Sequence, residues 1–141
     1  MCGACGVAVR PDPVLGPQRS TRAHLLVAAT INAVCQARPG APRVTVAANG
    51  WLVSGPSGGA RLCPTIDDVW EAVASSLADP SALAALLDQV EYGAEEHAGE
   101  RVEGRTDPST EQGPDEGDLQ TRTLRAGRRH AAHRHAPGCV H

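Results

Sequence analysis

Of the chain's 26 Leu, Val and Ile residues, 22 lie in positions 1–92, and both Trp residues lie there too. Positions 93–141 hold the other four. Burying one such side chain contributes about 1.5–3 kcal/mol, whereas fixing one backbone residue costs about 1–2 kcal/mol, so a stretch this poor in aliphatic residues does not offset its own ordering. The distribution predicts one folded unit over residues 1–92 and a disordered tail over residues 93–141.

Charge marks the same boundary. Residues 1–92 carry 6 Arg and 7 acids, residues 93–120 carry 2 Arg and 9 acids, and residues 121–141 carry 5 Arg and no acid, within a total of −3. The tail is thus an acidic block followed by a basic one, a pattern typical of solvated segments. A unit of this size is one domain, with no room for two large lobes enclosing a catalytic cleft. The longest apolar run, residues 23–35, is broken by His24 and Asn32 and is shorter than the roughly 20 residues that span a bilayer. No signal-peptide pattern opens the chain, so the expectation is a cytosolic protein without a membrane segment. Five Cys in a reducing compartment suggest thiols or metal ligands rather than disulfides.

Periodicity predicts the elements. Val7 to Val9 is a short extended piece, and Pro11, Pro13, Gly16 and Pro17 make a loop. Ser20 or Thr21 caps a helix over residues 21–37, with Val27, Ile31, Val34 and Cys35 on one face; Pro39 and Gly40 stop it. Residues 43–54 read as a hairpin around Asn49-Gly50 in a type I′ turn, pairing Ala48 with Trp51 and Val46 with Val53. Val44, Val46, Trp51 and Val53 then share the buried face. Residues 60–63 give a third strand. Thr65 with Asp68 is a capping box for a helix carrying Ile66, Val69, Trp70, Val73 and Leu77, and Asp79-Pro80 opens another carrying Leu83, Leu86, Leu87 and Val90. The expected fold class is α+β, a small three-helix domain with a short antiparallel sheet in the order β-α-β-β-β-α-α.

The most specific local motif is Cys2-x-x-Cys5-Gly6. Two Cys at this spacing present both thiolates to one tetrahedral ion, and a following Gly lets backbone N–H groups approach the sulfurs. The five residues resemble the first knuckle of a zinc ribbon, although no second C-x-x-C follows. The remaining ligands must then come singly. Cys63 is the third candidate, and the fourth is Cys35 or His24. These two share a helix face but are eleven residues apart, about 16 Å along the axis, so both cannot bind one ion. A redox role for Cys2 and Cys5 lacks the preceding strand and following helix that depress a thiol pKa.

Met1-Cys2-Gly3 also resembles the start of class II glutamine amidotransferases. That resemblance implies Cys2 as an amino-terminal nucleophile, its α-amine as base, and Asn49-Gly50 as a loose match to the family's oxyanion element. The family's Arg-Gly-Pro-Asp segment is absent. The order helix, three strands, helix is similar to that of a double-stranded-RNA-binding domain. The phosphate contacts this implies sit poorly with Asp67 and Asp68 at the second helix start. Arg125, Arg128, Arg129, His130, His133, Arg134 and His135 form a basic tail segment that could meet nucleic acid or chelate metal through its His residues, with a solvated tail the preferred expectation. Trp51 and Trp70 lie on apolar faces and are expected in the core. The preferred reading is a non-enzymatic module acting through protein contacts, stapled by a structural zinc on Cys2, Cys5, Cys63 and Cys35 or His24. An amino-terminal Cys nucleophile enzyme and a nucleic-acid binder using the basic tail are the alternatives.

Overall fold

The computed structural model describes residues 11–16, 19–79, 81–95 and 116–134. The expected strand at Val7 to Val9 and the knuckle Cys2-x-x-Cys5 lie outside them. The described chain is α+β: α1 (Thr21–Gln36), β1 (Arg43–Ala47), β2 (Gly50–Ser54), β3 (Ala60–Cys63), α2 (Ile66–Ser76), α3 (Ala82–Glu95) and α4 (Glu116–Arg134). The three strands form one antiparallel sheet in the order β1-β2-β3.

Helix α1 begins where Ser20, in extended conformation, accepts from the Ala23 N–H at 3.1 Å. It buries Val27, Ile31, Val34 and Cys35 as the periodicity predicts. Asn32, which interrupts the apolar run, clamps α1 to edge strand β1. Its Nδ2 donates to the Val44 carbonyl and its Oδ1 accepts from the Val44 N–H, both at 2.8 Å. An edge strand's unpaired backbone groups are thereby satisfied within the fold.

The hairpin lies where expected, with its register displaced by two. Val46 pairs with Trp51, Val44 with Val53 and Ala47 with Gly50, so the two loop residues are Ala48 and Asn49. No non-glycine residue among those described has positive φ, which excludes a type I′ turn centred on Asn49. Gly50 belongs to β2 at φ 148°, and a Cβ there would overlap the Cys63 carbonyl oxygen of the β3–α2 junction. Gly50 is therefore needed for close approach between strands, and the turn forms one residue earlier. A displacement of two leaves every side chain on its original face. Val44, Trp51 and Val53 are buried and Val46 half-buried, as expected.

Two inner rows result, Val46–Trp51–Cys63 and Val44–Val53–Arg61. Arg61 ends its row at the open edge and pairs there with Glu71 of α2 at 3.9 Å. Thr65 caps α2: its Oγ1 accepts from the Asp68 N–H at 3.2 Å and donates to Asp68 Oδ2 at 2.6 Å, so Asp68 engages the cap through the threonine hydroxyl, where the expected capping box uses the cap's backbone N–H. Asp79 Oδ1 accepts from the Ser81 N–H ahead of α3, whose Leu83, Leu86 and Leu87 are buried.

The expectation of a disordered stretch over residues 93–141 is corrected in two places. Helix α3 continues through Glu95, and residues 116–134 form α4, which packs on α1, α2 and α3. Leu119, Thr123, Ala126 and Ala131 are buried, and the Trp70 indole N–H donates to the Thr123 carbonyl at 3.0 Å. A Cβ on Gly127 would lie 2.8 Å from Trp70 Cε2. The helix docks because small residues admit a large aromatic from α2, a route that aliphatic counting does not register. The core thus extends beyond residue 92. No helix among the described residues is long and apolar enough to cross a membrane.

Candidate functional site

The chemistry-bearing residues of the described chain gather around the β3–α2 junction. Asp12 organises it. This carboxylate is 1% exposed; its Oδ1 accepts from the N–H groups of Val14 and Leu15 at 2.8 and 3.1 Å, and its Oδ2 accepts from the Ile66 N–H at 2.7 Å. The first contacts close a turn between two prolines, and the last satisfies an otherwise orphaned donor at the start of α2, where negative charge is favoured. Arg19 Nη1 donates to the Pro64 carbonyl at 3.1 Å, so the segment leading into α1 is fastened to the same junction.

His24 lies in the first turn of α1. Its ring meets the Trp51 indole edge-on, with centroids 4.7 Å apart, while its backbone carbonyl accepts from the Trp51 indole N–H at 3.0 Å. The imidazole is 7% exposed, and its buried Nε2 has no hydrogen-bond partner among the described residues. Burial, reinforced by the Arg19 charge and opposed by Asp12, lowers its pKa from the ordinary value and favours the neutral ring. Cys63 is the cross-strand neighbour of Trp51 and is fully buried. Its thiol lies 3.7 Å from the Arg61 carbonyl, and burial raises its pKa; Arg61 opposes this, and the Asp68 and Glu71 carboxylates add to it. His24 therefore packs on the indole of the residue whose cross-strand neighbour is Cys63.

Cys35 sits near the other end of α1, buried in the core, with its pKa pushed up to about 11 by burial. With Asn32, Arg38 and Arg43 it borders a surface recess of about 340 Å³. Cys2 and Cys5 lie outside the described residues. Among the described residues, no three His, Cys, Asp or Glu side chains form a group that could hold a metal. Asn49, the loose oxyanion candidate, occupies the exposed hairpin turn. The α2 start, where RNA-binding modules of similar element order reach phosphate, presents Asp67 and Asp68 with Asp12 buried against Ile66.

A second concentration of charged residues lies on α4. Arg122, Arg125, Arg128 and Arg129 line a groove of about 490 Å³ with Pro13 and Val14. All four lie in the stretch expected to be a disordered tail; the helix gives them a shared wall. Asp12 and Asn32 were not singled out as site-forming residues. An Asp between prolines is a turn signal, but its reach to Ile66 depends on tertiary structure. Comparison with protein-family models, curated proteins and solved structures finds no match for this chain.

Proposed function

We propose that the chain is a non-enzymatic, cytosolic contact module whose amino-terminal knuckle is stapled to the sheet by a structural zinc ion. Cys2, Cys5, Cys63 and His24 are its ligands. The observation that carries the reading is the buried Nε2 of His24, which has no partner among the described residues and belongs to a ring packed on the neighbour of Cys63. A buried polar atom without a partner is costly, and a neutral imidazole offers the lone pair that zinc takes. Asp12 supports the same arrangement. Its bond to Ile66 anchors the chain three residues from Cys63, and the seven residues back to Cys5 span at most roughly 24 Å. Cys35, about 16 Å along α1 from His24, is the core thiol of the alternative set and not a ligand in this reading.

Two such thiolates, a third from the sheet and an imidazole make a closed tetrahedral set, the pattern of structural rather than catalytic zinc. The contact surface is the outer sheet face, where Leu52 pairs with Leu62 and Leu62 is 57% exposed. The test is zinc content of the full chain purified without chelator, expected at one ion per chain. Cys63→Ser and His24→Ala should release it, His24→Cys should retain it, and Cys35→Ala and Cys139→Ser should leave it unchanged. Metal-free protein, or release by Cys35→Ala with retention by His24→Ala, would overturn the ligand set.

A further inference from the structure

Arg125 and Arg129 are not explained by the helix itself. Its packing is made by Leu119, Thr123, Ala126 and Ala131, with Gly127 against Trp70. Cations complement a helix dipole only near the carboxyl end, within about the last turn, and Arg122, Arg125, Arg128 and Arg129 precede that turn. From residue 119 to 134 the sequence holds five Arg and no acid. Arg125 and Arg129 make no ion pair among the described residues. Arg122 is already paired with Asp118, so Arg125 and Arg129 are the guanidinium groups whose mutual repulsion an anion in this groove would offset.

We propose that the groove between α4 and the Pro13–Val14 turn binds consecutive phosphate groups through Arg125 and Arg129, with Arg122 and Arg128 on the same wall. Arg122, Arg125 and Arg129 recur at i, i+3 and i+7 and span about 10 Å of helix. Arg122 is already oriented: its Nη2 donates to the Pro13 carbonyl at 3.3 Å, and Asp118 Oδ2 lies 3.6 Å from its Nη1. Planar guanidinium forks match phosphate oxygens in pairs, and each unit of a phosphate chain brings both charge and acceptors. The groove's size falls in the range of roughly 300–1,000 Å³ typical of small-molecule sites, so the ligand is an oligophosphate compound or a short stretch of phosphodiester backbone. This site is independent of the zinc reading.

The experiment is calorimetric titration of the full chain with inorganic tripolyphosphate. Arg125→Gln with Arg129→Gln should weaken binding by at least roughly tenfold, since two charge-assisted forks are lost. Arg125→Lys with Arg129→Lys, which keeps the charge and loses the fork, should fall between the two. Arg43→Gln with Arg61→Gln removes the same charge elsewhere and should change affinity by less than about twofold at physiological salt, where distant charges are screened. Competition by short oligothymidylate would identify phosphodiester backbone as the source, and its absence a free oligophosphate. No binding of tripolyphosphate, equal losses in the two Gln double variants, or equally tight binding of a glutamate-rich peptide of the same charge would overturn the proposal.

Discussion

The two tryptophans hold together two differently built parts of the molecule. Trp51 projects from β2 into a layer of aliphatic residues and donates its indole N–H to a carbonyl of α1. Trp70 projects from α2 and donates to a carbonyl of α4, where Gly127 admits the edge of its ring. The first junction is made by elements that each bring an apolar face. The second is made by one aromatic and a helix that is small where it touches. Both bury an aromatic with its polar handle satisfied, which is the condition for a stable buried indole. A helix can therefore join a core while contributing little apolar mass of its own.

The largest effect separating the two should come from Trp70→Ala, expected to cost about 3–5 kcal/mol, as for other large aromatic truncations in cores. In denaturant melts the loss should be accompanied by increased amide exchange in α4, with α1 and the sheet retaining their order of protection. Loss confined to α2 would break the comparison. Next comes an alkaline effect in the first region. The Cys35 thiol ionises near 9 in the unfolded chain and at about 11 when folded, so the unfolded chain releases its proton first as pH rises. The thiol's contribution is whole below pH 9 and is lost between pH 9 and about 11, amounting to about 3 kcal/mol at most. Cys35→Ala should flatten that part of the stability profile; a profile unchanged by the substitution would place the thiol in water.

Gly127→Ala should cost about 1–3 kcal/mol through overpacking against Trp70, although Ala is the better helix former. Gly117→Ala, on the same helix with open space around it, should be neutral or stabilise by up to about 1 kcal/mol. Equal responses at the two glycines would deny the close α2–α4 contact. The smallest effect is Thr65→Ala, expected to cost about 1 kcal/mol by removing the α2 cap. Thr65→Ser should restore it, as read by thermal melting.

Local signals made the first region legible. The Ser20 and Thr65 caps, the helical spacing of Val27, Ile31 and Val34, and the alternation of Val44 and Val46 each act within a few residues, and the structure follows them. The hairpin turn differs because the position of Gly50 is decided by the Cys63 carbonyl, thirteen residues away. Helix α4 was illegible for a related reason: its docking depends on Trp70, 57 residues before Gly127, and a glycine within a helix ordinarily signals weakness. At the candidate site, His24 and Cys63 could be proposed as donors from residue type. Their common relation to Trp51 depends on strand pairing, and Asp12's role depends on a bond across 54 residues.

Helix α4 belongs to the same core as the first 92 residues, and removing it tests this directly. A chain ending at residue 115 should lose several kcal/mol in a denaturant melt, because Trp70 is stripped of its cover and its indole partner. Its tryptophan emission before unfolding should shift to the red relative to the full chain. A shortened chain that melts within a few degrees of the full one, with unshifted emission, would contradict the account and return α4 to the status of an appended tail.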